Sequence, residues 1–383
     1  MFTYVFVAIL RKLFYSSFLK VSQRREKMPR PMGKIHIMMS ASVLFDMEEA
    51  NSIFKEKGEK EYTDYMLGLG KYAKDYDPKL GGRALKQGPL WSFAQAALAL
   101  NKPGQPPVVE IGLMTKDTED TAVPIFRNLD VGPLRNIGYR VATAGNKLDM
   151  AEHEIFGTDL LLTQNAEDVQ QAVNHDIAAA VINPPPSGVH YDRAPGGPLQ
   201  LSFDGDAVSV GGSAELVYRK GGLAEYRKHE SENFDKPMER GPFTSFLAKV
   251  TEMNSHYARD EQPIKLSLLT ARGSDAGARM IAAAEKLGID FNGGQHFMDG
   301  MAKAPVIKAE KPDLFFDDQM VHLQDSKQYA PTGLVAYKEG SPMDLYLKEE
   351  AKKQAALAAT AAAVKPVQDN VAKKAAVKQK LSH

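Results

Sequence analysis

Residues 39–62 read MSASVLFDMEEANSIFKEKGEKEY and residues 203–226 read FDGDAVSVGGSAELVYRKGGLAEY; adding 164 lays the first on the second without a gap. Ala50, Gly58, Glu61 and Tyr62 then meet Ala214, Gly222, Glu225 and Tyr226, while Ile53, Phe54 and Lys55 meet Val217, Tyr218 and Arg219. Further along, GPLWSFAQAALALN (88–101) falls on GPFTSFLAKVTEMN (241–254) by adding 153, and VVEIGLMTKDTED (108–120) on PIKLSLLTARGSD (263–275) by adding 155. Three blocks in one order make an internal repeat, which decides the fold before any local pattern does. Each copy reads as apolar strand, helix, helix and a second apolar strand ending at Thr115 or Thr270. Strands alternating with helices imply an α/β fold with a mainly parallel sheet, because parallel neighbours need crossover connections.

The stretch 183–198 holds Pro184, Pro185, Pro186, Gly196 and Gly197 and punctuates like a linker, so the chain divides near residue 198. The expected organisation is an extension over 1–32, a first half over 33–198, a second half over 199–340 and an Ala/Lys-rich helical or disordered tail over 341–383. Residues 1–25 contain no acid, and their apolar run from Phe2 to Leu10 is too short to span a bilayer. Such a start suits a flexible extension, and a targeting presequence has the same look. No stable membrane span is expected.

Composition narrows the chemistry. Of 383 residues, 48 are Lys or Arg and 48 are Asp or Glu, so no global basic field draws the chain onto nucleic acid. With no cysteine there is no thiolate zinc site, disulfide or cysteine nucleophile, and no His-Glu-x-x-His spacing occurs. Neutral charge and absent cysteine fit a cytoplasmic protein, and a homo-oligomer is compatible with the sequence.

The two copies differ where chemistry would sit. The first strand of the second copy ends in Phe203-Asp204-Gly205-Asp206, whereas the first copy has Met39-Ser40-Ala41-Ser42. Late in the second copy Leu314-Phe315-Phe316 leads into Asp317-Asp318; the first copy has Leu160-Leu161-Leu162 before Thr163-Gln164. Ligands of open parallel sheets bind beyond the carboxyl ends of the strands, so Asp204, Asp206, Thr270, Asp317 and Asp318 are expected at one edge. Acids crowded there repel one another unless a cation intervenes, and a few hard carboxylates suit Mg²⁺ with phosphate as co-ligand. An isolated Asp-x-Asp is more often a solvated turn. Here each acid pair terminates an apolar strand.

At these residues the sequence resembles the haloacid dehalogenase-type phosphohydrolases, and more closely the cytosolic 5'-nucleotidase I family. The resemblance rests on FDGDAV, on TAR (270–272) with GAR (277–279) following, on Lys303 in MAKAP fourteen residues before Asp317 of FFDDQM, and on LFDMEEANSIF, LMT and DIAAAVI in the first copy. It covers about residues 34–335. One departure is that the family's first copy opens with a Ser-Ser-Arg-like segment, whereas Ser40-Ala41-Ser42-Val43 has no arginine.

The resemblance implies two duplicated Rossmann-like, haloacid dehalogenase-like halves, the first catalytically degenerate, with the first half covering or shaping the nucleotide pocket. It implies Mg²⁺-dependent hydrolysis of nucleoside 5'-monophosphates of the AMP/IMP class through an aspartyl-phosphate. Asp204 would be the nucleophile and Asp206 the acid and base. Mg²⁺ would be held by Asp204, the main-chain carbonyl of Asp206 and Asp317, with Asp318 as ligand or support. Thr270 and Lys303 would bind phosphate, and Ala271 and Arg272 lie where substrate contacts are expected. By pattern alone Thr270 serves equally as a cap for the helix expected from Gly273 to Leu287, Lys303 competes with Lys308 and Lys311, and Arg272 and Arg279 suit salt bridges. Gly211-Gly212 and Gly221-Gly222 suit a flexible flap or hairpin turns. The rival activities are a phosphatase of the same fold for another small phosphomonoester, and a nucleotide-binding regulator without turnover.

Overall fold

The computed structural model describes residues 33–146, 150–191, 193 and 196–356. The extension expected over 1–32 and the tail over 357–383 lie outside the described residues; 342–356 are helical. The elements before residue 198 are β1 (Ile35–Ser40), α1 (Ala41–Leu44), α2 (Glu48–Lys57), α3 (Glu59–Leu67), a hairpin of β2 (Tyr76–Asp77) and β3 (Gly82–Arg83), α4 (Trp91–Ala99), β4 (Val109–Thr115), α5 (Glu119–Asp130), β5 (Tyr139–Ala142), α6 (Met150–Phe156), β6 (Leu160–Thr163), α7 (Ala166–Asn174) and β7 (Ala178–Ile182). Then come β8 (Leu199–Phe203), α8 (Ser213–Glu232), α9 (Thr244–Asn254), β9 (Ile264–Thr270), α10 (Ser274–Lys286), β10 (Gly294–Phe297), α11 (Ala304–Glu310), β11 (Leu314–Asp317), α12 (Met320–Ser326) and β12 (Thr332–Val335).

Ten of these strands form one sheet in the order β10-β9-β8-β11-β12-β7-β6-β1-β4-β5. From either outer edge inward, each set of five runs third, second, first, fourth, fifth in its own chain order. The pairings within each set are parallel. The two fifth strands, β7 and β12, pair antiparallel, with Leu334 opposite Val181 and Val335 opposite Ala180. That one pairing inverts one set against the other: the carboxyl ends of the first five strands open at one edge of the sheet, and those of the second five at the opposite edge.

Burial explains the strands. Leu160, Leu161, Leu162, Leu314, Phe315 and Phe316 are all fully buried, as expected of central parallel strands covered on both faces. Alternate residues feed different layers. Ile37, Leu160, Leu162, Leu201, Leu314 and Phe316 belong to one apolar cluster that runs through both sets. Met38 and Leu161 pack in a second cluster, and Leu269 and Phe315 in a third.

Two pairs of residues that the alignment of the two stretches matches are alike in conformation or contact. Gly58, between α2 and α3, has φ 83° and ψ −179°, and Gly222, inside α8, has φ 72° and ψ −170°. Both sit in a region that only glycine enters readily. Asn101 and Asn254, which the repeat aligns, both tie the end of a helix to the start of the next strand. Asn101 Nδ2 donates to Val109 O at 2.7 Å, and Asn254 Nδ2 donates to Ile264 O at 2.7 Å. Gly221-Gly222, expected to form a flap or hairpin turn, instead lie in a helix that Gly222 breaks into two pieces.

Candidate active site

The site starts from strand register. Phe316 pairs with Phe203 across β11 and β8, so the next residues, Asp317 and Asp204, are side by side at the strand ends. Beneath them the rings of Phe203 and Phe316 stack at 5.0 Å, with Phe243 4.8 Å from Phe316, fixing the strand ends against the core. On the other side of β8, Phe203 pairs with Leu268, which brings Gly205 beside Thr270. A Cβ at Gly205 would lie 2.7 Å from Met280 Cε and 3.1 Å from Thr270 Oγ1, so a larger residue would have to displace the methionine tip and crowd Thr270.

Asp204, Asp317 and Asp318 are buried, and each offers a carboxylate oxygen within 4.8 Å of the others. Lys303, with a side chain shielded from solvent, places Nζ 2.7 Å from Asp204 Oδ1 and 2.7 Å from Asp317 Oδ2. Asp204 Oδ1 also accepts the Gly205 N–H at 2.6 Å. Asp318 accepts a hydrogen bond from the Tyr337 hydroxyl, and its Oδ1 is buried with no hydrogen-bond partner among the described residues.

Three carboxylates against one ammonium leave an excess of negative charge, and the acids register it. Burial, together with Asp317 and Asp206, pushes Asp204 up to about 6 despite Lys303. Burial raises Asp317 as well, and burial with Asp204 and Asp317 holds Asp318 well above the usual carboxylate range. Burial opposes the charge on Lys303, but Asp204 and Asp317 outweigh it and raise the lysine. Such a cluster of hard oxygen donors could hold a divalent cation, which would offset their mutual repulsion.

The remaining expected residues fall in distinct places. Lys303 is the buried lysine, whereas Lys308 and Lys311 are exposed. Thr270 is buried and its Oγ1 accepts the Arg272 N–H at 3.2 Å; the N-cap of α10 is Gly273. Ala271 is exposed. The carboxylate of Asp206 is turned to Arg272, with Nε to Oδ2 and Nη2 to Oδ1 both 2.7 Å. Arg272 also bonds Glu230, which Arg279 Nη1 meets at 2.5 Å.

Several contributors carry no sequence signal of their own. Glu215, half-buried and pushed up by that partial burial, is held by Arg219 at 2.7 Å; its only legible hint is the i,i+4 spacing on α8. Tyr337 follows β12, and its carbonyl accepts Gln170 Nε2 from α7 at 2.9 Å. The first half therefore supports Asp318 through Tyr337. The loops after β1, β4 and β6 open at the opposite edge, because β7 and β12 are antiparallel. A cavity of about 360 Å³ lies in the first half, lined by residues that include Asp46, Glu48, Glu49, Tyr65 and Arg83.

A mainly parallel α/β sheet with acids converging at its strand ends is suited to phosphoryl transfer assisted by a divalent cation. The chain belongs to the 5'-nucleotidase family, whose sequence profile matches residues 28–342; this is a family of phosphoric monoester hydrolases. It is 26% identical over 312 residues to human cytosolic 5'-nucleotidase 1B, an alignment covering 78% of this chain and 48% of that protein. The chain thus spans about half the length of that relative. No solved structure matches the chain significantly. Among the described residues no helix is long and apolar enough to cross a membrane.

Proposed function

We infer that this chain is a Mg²⁺-dependent 5'-nucleotidase that releases phosphate from nucleoside 5'-monophosphates of the AMP/IMP class. The observation that carries the reading is the convergence of Asp204, Asp317 and Asp318 on one another, with Lys303 bridging the first two and a buried carboxylate oxygen of Asp318 unsatisfied among the described residues. These hard oxygen donors fit Mg²⁺, which would be held by Asp204, Asp317, Asp318 and the main-chain carbonyl of Asp206. When bound, it supplies charge neutralisation and Lewis acidity toward a phosphoryl oxygen.

The side chains do the rest. A carboxylate oxygen of Asp204 attacks phosphorus, and the P–O5' bond breaks with its electron pair passing to the nucleoside oxygen. Asp206 gives that oxygen a proton. Asp206 then takes a proton from water as the water oxygen attacks phosphorus, and the bond to Asp204 breaks to free phosphate. Lys303 and Thr270 balance charge on the equatorial oxygens, a contribution of about 3 kcal/mol for a well-placed donor.

In the same reading the two halves are a duplication, supported by the shared strand order and by Gly58 with Gly222 in one rare conformation. The first is degenerate. Its aligned positions carry Ser40 and Ser42, whose hydroxyls lie 2.9 Å apart and satisfy each other, while Asp117 bonds Thr115 and Tyr62. The relative's description as cytosolic supports a cytoplasmic location.

Phosphate release from a panel of monophosphates, with Mg²⁺ and with EDTA, tests this. Release from AMP or IMP should require Mg²⁺, disappear in Asp204→Asn and stay within about twofold of wild type in Ser40→Ala, on the opposite edge. Nucleotide binding without release, or release confined to other phosphomonoesters, would refute it.

A further inference from the structure

Asp206 follows β8 in a turn where Ala207 adopts a left-handed φ of 61°. Its side chain is 14% exposed, at the margin of the buried acids. A carboxylate there has rotamers to choose from, and a proton transfer requires its oxygen within about 3 Å of the leaving group. The choice is made by Arg272, whose side chain is 2% exposed and whose planar fork meets both Asp206 oxygens at 2.7 Å. The third nitrogen of Arg272 bonds Glu230, and Glu230 in turn bonds Arg279. The Tyr226 ring lies 5.7 Å from the guanidinium. The result is an alternating row of charges, Asp206, Arg272, Glu230 and Arg279, formally neutral.

We propose that Arg272 is a positioning residue that aims Asp206 at the leaving-group oxygen, and that Glu230 holds Arg272 for that task. The proposal rests on the nucleotidase reading above. An ionised carboxylate has about four lone-pair sites, so the fork leaves others free for the substrate. A lysine at 272 would keep the charge and lose the fork. With Arg272 buried in this row, its route to the reaction runs through Asp206.

The test separates aiming from mere support by the leaving group. A nucleoside 5'-oxygen departs poorly without a proton, whereas p-nitrophenolate departs unaided. Single-turnover release is measured for Arg272→Lys and Glu230→Gln with Mg²⁺, using AMP and p-nitrophenyl phosphate. With enzyme saturating and in excess, a misfolded fraction leaves the rate constant intact. Release of adenosine should slow about tenfold or more, against the ceiling set by Asp206→Asn, since a general acid contributes about 10²–10⁴-fold. Release of p-nitrophenolate should stay within about threefold. Arg272→Lys should add almost nothing once Asp206 is Asn, as residues acting through one another are non-additive.

Equal slowing with both substrates, a rise in KM alone, or losses that multiply in the double variant would overturn the proposal while leaving the nucleotidase reading standing. A wild-type chain that cleaves neither substrate sinks both. One that cleaves p-nitrophenyl phosphate but not AMP or IMP fails the nucleotide reading alone, and the comparison then runs with another alkyl phosphomonoester.

Discussion

Nζ of Lys303 lies 2.7 Å from both Asp204 and Asp317, while Asp318 beside them receives a phenol rather than a cation. Removing one member of a buried ion pair costs about 3–5 kcal/mol, because the partner keeps its charge and loses its counter-charge. Lys303→Met should therefore destabilise the protein by about that much in EDTA, measured by urea unfolding. Mg²⁺ should recover part of the loss by ligand linkage. A variant as stable as wild type in EDTA would mean that the ammonium is not what holds these acids. At this scale the residues that end strands were legible, because an acid after an apolar run is conspicuous. Lys303 was distinguished from Lys308 and Lys311 by its spacing to the Asp317-Asp318 pair, and burial separates it in space. Glu230 and Tyr337 were not legible. Glu230 is one of several charged residues along a polar helix, and Tyr337 matters through a hydroxyl that meets Asp318 only after the chain has crossed the sheet.

Among the elements, α8 links the acids to the charge row. Its first piece carries Glu215 and Arg219, its second carries Tyr226 and Glu230, and Gly222 between them adopts φ 72°, ψ −170°. Nothing lies within 4 Å of a Cβ built at Gly222, so the penalty for replacing it is backbone strain alone. Gly222→Ala should cost about 1–3 kcal/mol by thermal or urea unfolding. It should also slow hydrolysis, since relief of the strain moves Glu230 relative to Arg272. An alanine variant with unchanged stability would show that the helix tolerates straightening there. The order of strands and helices was readable from hydrophobic pattern and repeat, but the kink was not. A Gly-Gly pair suits a turn as well as a broken helix, and the choice depends on what the two helical pieces pack against.

The whole molecule depends on the seam between β7 and β12. The sequence predicts both sets of strands, yet AAAVI and TGLV carry no mark of which strand each will neighbour or in what direction. One apolar cluster crosses that seam, and Lys249 of α9 reaches Asp159 at the start of β6. Residues 199–356 expressed alone would bare the β12 edge and part of that cluster, a template for aggregation. Such a fragment should be insoluble or lack a cooperative unfolding transition, and co-expression with residues 33–191 should restore both. An autonomous, monomeric and active fragment would show the seam to be dispensable.

The inverted seam also separates tolerance from constraint. The turn 143–146, on the far rim, is exposed and turns through Ala144 and Gly145, both with positive φ. Extra sequence spliced there projects from the end of the outermost strand β5, at the opposite edge of the sheet from the acids and far along it from β8 and β11. A domain attached there is expected to leave phosphate release unchanged, which an assay of such a fusion checks.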